Sequence, residues 1–169
     1  LEHHGGHHMA AGFTVKNENW DELINRLQAI AEDQLKDKEL QQSYTADAVL
    51  EGIGQVTELL RKNSFGNIYD LSDTLEPTGM GNSEVIFIAR NLVVKDCRAV
   101  GEEKSHLKLV LGGENRNTAI LDGIAFRQGH WLQKGLMGKK LDILFKFEKN
   151  TFQGVEKNQL NISDIRLSE

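Results

Sequence analysis

The residue types that could do chemistry in this 169-residue chain fall into two groups. The first opens the sequence: Gly5-Gly6-His7-His8-Met9-Ala10-Ala11-Gly12-Phe13. Adjacent glycines let a backbone approach a phosphate without side-chain clash, and a histidine beside them donates to its oxygens. Gly5, Gly6 and His7 therefore form a candidate phosphate-binding element, against the plainer reading of His7 as an exposed loop histidine. His8 reads as structural or exposed. Leu1-Glu2-His3-His4 also reads as a purification-tag remnant, and such a tract binds transition metals adventitiously rather than at a physiological site.

The second group lies in the other half of the chain and suits a single-stranded nucleic acid, which is held by cations along its backbone and by rings that stack on its bases. Each stacked ring is worth about 1–3 kcal/mol. Candidates are Lys104, His106 and Lys108, which alternate along one strand, and Arg116 in the turn that follows. Arg127 lies close to a short helix carrying Trp131, and Lys149, Phe152 and Lys157 lie around a late hairpin. Phe152, flanked by polar residues, is the ring best suited to stacking. Phe145 and Phe147 read as core, Trp131 as a helix anchor, and Glu102-Glu103 dilute the charge of Lys104. Neither group supplies a catalytic centre. The chain has no Asp-His-His triplet, and its carboxylates are scattered, with no metal-ligand spacing, so no catalytic and no metal-binding residue is expected.

The elements that must position these groups follow from periodicity. Phe13–Val15 reads as a short buried strand. A helix follows to about Lys36, with Asn17 or Asn19 as cap, Asp21 and Glu22 in its first turn, and Trp20, Leu23, Ile24, Leu27, Ile30 and Ala31 as one apolar stripe. Ser43–Leu50 alternates weakly as a strand. Val56–Arg61 and Ile68–Leu75 read as short helices separated by Asn63–Asn67. From Glu84 the texture turns to strands: Val85–Lys95, His106–Leu111 with leucines on one face, and Thr118–Phe126 after the Gly112–Asn117 turn. A short helix around Trp131 closes at Gly135 or Gly138. Leu141–Glu148 then alternates, a hairpin loop spans Asn150–Gly154, and the last strand is about Leu160–Leu167. Three strands, a short helix and two strands are the order of an OB-fold, a five-stranded barrel that often binds oligonucleotides. An SH3-like or unrelated five-stranded barrel fits the same pattern. The fold class is α+β: an N-terminal α/β fragment followed by a barrel.

Composition is that of a globular domain, 39% hydrophobic and 27% charged. No apolar run nears the roughly 18 residues of a membrane span, no stretch reads as a signal peptide, and no membrane contact is expected. The single Cys97 forms no internal disulfide, which suits the cytoplasm. The net charge of −5 is uneven: residues 1–76 carry 6 Lys/Arg against 14 Asp/Glu, and residues 77–169 carry 14 against 11. The only proline, Pro77, stands at that divide, which sets the expected domains at 1–76 and 77–169. Any polyanion would be held by the second part.

Several motifs together carry a resemblance. The Gly-Gly-His element resembles that of the substrate-gripping domain which follows the catalytic domain in DHH-family phosphoesterases. Glu76-Pro77-Thr78-Gly79-Met80-Gly81-Asn82 resembles the segment that links this domain to an OB domain in the RecJ family of bacterial single-stranded-DNA-specific exonucleases, with Thr78 where an aromatic is usual. His106-Leu107-Lys108-Leu109, Asp122-Gly123-Ile124-Ala125-Phe126 and Gln159-Leu160-Asn161-Ile162-Ser163-Asp164-Ile165-Arg166 resemble that family's second, third and closing barrel strands. The match is poorest over Glu51–Asp73. The resemblance implies a parent enzyme that hydrolyses single-stranded DNA from its 5′ end with Mn²⁺ or Mg²⁺, in repair and recombination. This chain would then be its substrate-binding C-terminal portion, inert by itself and binding no cofactor. Implied partners are single-stranded DNA and a single-strand-binding protein or repair helicase. The Gly-Gly-His element also occurs in oligoribonucleases and alanyl-tRNA synthetases. A protein-docking OB module and part of an oligoribonucleotide phosphodiesterase therefore remain alternatives.

Overall fold

Alternation of inward apolar and outward residues, clearest over His106–Gly112 and Leu121–Ala125, runs through the strands that close the second half of the chain into a barrel. A computed structural model describes residues 2–7, 10–38, 43–61, 66–115, 117–152 and 154–169, with only the backbone of Phe152 and Val155. Two compact units are present, Leu1–Tyr44 and Thr45–Glu169. Residues 45–76 thus cluster with the barrel, whereas charge and Pro77 place the sequence boundary at 76/77.

In the first unit, strands β1 (His3–His7) and β2 (Ala10–Thr14) pair antiparallel, with Gly5 opposite Gly12 and Gly6 opposite Ala11. Helix α1 (Trp20–Leu35) begins where the sequence places it and carries Asp21 and Glu22 in its first turn. Neither Asn17 nor Asn19 caps it through a side chain. A 3₁₀ turn over Asn17–Asn19 leads in instead, closed by the Asn19 amide donating to the Lys16 carbonyl at 2.9 Å. The apolar stripe is present but uncovered, with Trp20 50% and Ile30 52% exposed. The strand around Phe13, read as buried, is exposed throughout, because two strands and one helix enclose no interior.

In the second unit, strand β3 (Ala48–Glu51) pairs parallel with the long β4 (Phe87–Val100). Helices α2 (Gly52–Leu60) and α3 (Ile68–Thr74) lie between them in sequence and pack on the barrel through Val56 and Tyr69. β5 (His106–Gly112), β6 (Leu121–Ala125), β7 (Lys140–Phe152) and β8 (Val155–Leu167) complete the sheet, with a 3₁₀ helix at Gly129–Lys134. The strands run β4-β5-β6-β8-β7, and β7 pairs with β4 again to close the ring. β6 and β8 pair in parallel, and the other pairs within the ring are antiparallel. This is the closed five-stranded OB arrangement expected from the order of elements.

The core is formed by Leu107, Leu109 and Leu111 of β5, Leu141, Ile143, Phe145 and Phe147 of β7, and Leu160, Ile162 and Ile165 of β8. A Cβ at Gly123 would lie 2.7 Å from the Ile162 Cδ1 methyl, so a larger residue there would have to push that end of Ile162 aside. Register shifts in β4 and between Leu144 and Phe145 in β7 bend the strands around the ring. Several bounds differ from expectation. β4 extends five residues past Lys95 because Asp96, Cys97 and Arg98 keep alternating outward and inward. β6 starts at Leu121, since Thr118 is engaged in a turn with Asn115 and Gly113. β8 starts at Val155, paired with β7 to the hairpin end, and the Ser43–Leu50 segment is extended strand only from Ala48.

Candidate nucleic-acid interface

The leucines of β5 face inward, so His106, Lys108 and Val110 must face out. Inward Leu121, Gly123 and Ala125 likewise turn Asp122 and Ile124 outward on β6, with Phe126 following in the same parity. Register sets these side chains in rows. Arg98 of β4 stands opposite Lys108, and Lys108 opposite Ile124. Val100 stands opposite His106. The next row, Asp96, Val110 and Asp122, is acidic at both ends. The face is therefore graded along the strands, cationic and aromatic towards the 101–106 turn, with a row flanked by Asp96 and Asp122 beyond it.

Charge pairing separates usable cations from committed ones. Lys146 pairs with Glu84 at 2.5 Å, Lys140 with Glu114 at 2.5 Å and Arg90 with Glu51 at 3.2 Å. Lys149 is gripped by Asp73 and Asp70 of α3, and the hydrogen bond with Asp73 foremost pushes its ammonium above the usual range. Among the described residues, ten cations pair with no carboxylate: Lys36, Lys38, Lys95, Arg98, Lys104, Lys108, Arg127, Lys134, Lys139 and Lys157. Four of these ten, Arg98, Lys104, Lys108 and Arg127, gather at the 101–106 end of the β4–β5–β6 face or on its bordering turns; Lys95 lies against Gly112 further along β4 and β5, and Lys157 lies on β8, opposite Asn150.

The turns at the cationic end are locked together. The Gly129 amide donates to the Ser105 carbonyl at 2.9 Å, and the Arg127 amide donates to Nδ1 of His106 at 3.1 Å. His106 meets the Phe126 ring edge-on, with centroids 5.1 Å apart and planes at 72°. Phe126 is 49% exposed.

The structure brings Lys104, His106, Lys108 and Arg127 of the sequence-derived candidates to one face and leaves the others apart. Lys149 faces α3, and Trp131 packs against the core with the Lys134 Nζ 3.7 Å from its ring centroid. His8, Arg116 and the Phe152 side chain lie outside the described residues. Gly5, Gly6 and His7 lie on β1, exposed. A Cβ at Gly6 would sit 2.7 Å from the Ala10 carbonyl oxygen, so hairpin packing alone demands that glycine; nothing crowds Gly5. Sequence reasoning passed over Arg98 and Phe126. Strand parity carries the signal for Phe126: with Leu121, Gly123 and Ala125 inward, it emerges outward beside His106. Arg98 needed the β4–β5 register, which no local pattern supplies.

This arrangement offers positive charge, N–H donors and a flat ring, which suit phosphates and bases. Among the described residues, no group of three or more His, Cys, Asp or Glu side chains could hold a metal ion. No helix among the described residues is long and apolar enough to cross a membrane.

Comparison with known proteins gives consistent matches. The family model of the RecJ OB domain matches residues 62–164. The single-stranded-DNA-specific exonuclease RecJ of Bacillus subtilis is 32% identical over 170 residues, which take in 100% of this chain and 20% of the relative. Its counterpart from Haemophilus influenzae is 28% identical over 162 residues, 95% of this chain and 26% of the relative. Among solved structures, RecJ from Thermus thermophilus in complex with Mn²⁺ aligns over 100% of this chain and 22% of its own, with TM-score 0.65 at 23% identity. The Mg²⁺ complex gives TM-score 0.63 at 22% identity, over 100% of this chain and 23% of its own. These two likenesses bear on the fold. The chain spans about a fifth to a quarter of the length of the relatives it matches.

Proposed function

The chain belongs to the RecJ OB-domain family, and on that footing we propose that its barrel binds single-stranded DNA for a RecJ-type 5′-to-3′ exonuclease. The observation that carries the reading is the set of four cations without carboxylate partners, Arg98, Lys104, Lys108 and Arg127, on one face of β4–β6 and its turns. Cations left unpaired beside an exposed ring form the combination that tracks a phosphate backbone and stacks its bases. Gly5, Gly6 and His7 would contact a substrate phosphate. Hydrolysis, with Mn²⁺ or Mg²⁺, belongs in this reading to a DHH catalytic region outside these residues. The setting is repair and recombination of DNA in the cytoplasm, where a single-strand-binding protein or a repair helicase would supply the strand.

Fluorescence anisotropy with a labelled single-stranded oligonucleotide, repeated across salt concentrations, tests this. Four cations at about −0.7 per phosphate give an expected log–log slope of about −3, so binding is weak and easily screened. Lys108→Ala should lower affinity and reduce the slope by less than one unit. Absence of binding even at low salt would favour a protein-docking barrel instead.

A further inference from the structure

We propose, resting on the single-strand reading above, that the corner built from His106, Phe126 and the turns around Lys104 and Arg127 is a single-nucleotide subsite. One base stacks on Phe126, and the adjoining phosphate is held by Lys104 and Arg127.

Backbone strain gathers at this corner. Among the described residues, four non-glycine positions have left-handed backbone: Asn91, Glu103, Lys104 and Arg127. Three of them belong to this one corner, with φ of 55°, 55° and 58°. Left-handed backbone is costly for residues with a Cβ, and turns that only connect strands place glycine or asparagine there. Strain held by the surrounding structure collects where geometry is needed for a ligand.

The corner is also over-determined. A Cβ at Gly129 would lie 2.1 Å from the Lys104 carbonyl oxygen, so the turn after β6 can rest on the turn before β5 only as glycine. A Cβ at Gly101 would lie 2.9 Å from the His106 ring. That ring is thus held by Gly101, by Phe126 and by the Arg127 amide. Because the amide donates to Nδ1, Nδ1 is the unprotonated nitrogen, and Nε2 carries the hydrogen of the neutral ring. Phe126 stands beside this clamped wall and keeps about half its surface open.

Charge favours the same ligand. Lys104 and Arg127 flank the ring pair in sequence and have no carboxylate partner among the described residues, although Glu102 and Glu103 adjoin Lys104. A subsite for an apolar peptide would not need two free cations at its mouth. Stacking on a single ring tolerates any base, so the class of ligand is a nucleotide step without strong sequence preference.

Two labelled probes of equal length decide it with the full chain: an oligothymidylate and an oligomer of abasic deoxyribose phosphates. The wild type should bind the oligothymidylate about 5- to 160-fold more tightly, the worth of one stacked base. Phe126→Ala should remove that preference while leaving the abasic affinity and the salt slope unchanged. Phe126→Trp should keep the preference, and Phe126→Leu, which retains apolar bulk without a ring, should lose it. Lys104→Ala and Arg127→Ala should weaken both probes and flatten the slope. Equal wild-type affinity for the two probes, or Phe126→Leu binding as wild type does, would overturn the subsite while leaving strand binding intact. Failure of the wild type to bind either probe at low salt would sink the strand-binding reading and the subsite together.

Discussion

At the scale of single residues, Asp142 is the charge most tightly held. It is 7% exposed and lies where β4, β7 and the end of β8 meet. Its carboxylate accepts from Arg166 at 2.8 and 3.0 Å, from the Ser168 hydroxyl at 2.5 Å and from the Asn91 amide at 3.1 Å. Burial alone would raise its pKa. The hydrogen bonds from Ser168, Arg166 and Asn91, with the Arg166 charge, outweigh that and hold it below the usual carboxylate range. A lowered folded pKa contributes stability that is complete above the ordinary carboxylate range and is lost as pH falls through the lowered value. Asp142→Asn should therefore cost about 1–3 kcal/mol at pH 7, the scale of a charge-assisted bond, with the gap to wild type narrowing towards pH 3. Urea unfolding at the two pH values measures this; an equal gap at both would contradict the assignment.

At the scale of elements, α3 is capped by its own residues and joined to the barrel by two devices. Asn67 accepts from the Tyr69 and Asp70 amides, and Asp70 accepts back from the Asn67 amide, forming a capping box. Lys149 of β7 reaches Asp70 and Asp73. Tyr69 is 4% exposed, edge-on to Phe147 at 5.2 Å, and burial pushes its phenol up to about 12. Its hydroxyl donates to the Gln159 carbonyl at a long 3.4 Å, so the ring rather than the hydroxyl should dominate. Tyr69→Ala should cost about 3–5 kcal/mol and Tyr69→Phe less than about 1. Equal losses in denaturant titrations would show the hydroxyl to matter more than packing. Barrel strands and α1 were legible because their periods persist over several turns or pleats. The exact starts of β6 and α2 were not, because Thr118 bonds its own turn and Gly52 has φ of 73°, choices that local composition leaves open. Rows such as Arg98–Lys108 arise from long-range pairing, and committed cations such as Lys149 arise from a contact 79 residues away. Neither leaves a local trace.

At the scale of the molecule, the two units have unequal interiors. The buried apolar residues described all lie between Leu50 and Ile165, within the unit Thr45–Glu169, whereas α1 buries none of its residues. Amides of α1 should exchange with solvent through local opening, well before those of β5 and β7. Hydrogen-exchange mass spectrometry reads this directly, and protection of α1 equal to that of β7 would contradict it. The central claim is that a single strand lies on the face formed by β4, β5 and β6. Titrating isotopically labelled chain with an oligothymidylate at low salt, and following amide shifts by NMR, tests it most directly. The account predicts that the largest shifts gather at residues 98–108 and 122–129, with α3 and the 75–85 segment unmoved. Shifts centred on α3 and the outer residues of β7, with 98–108 silent, would contradict it.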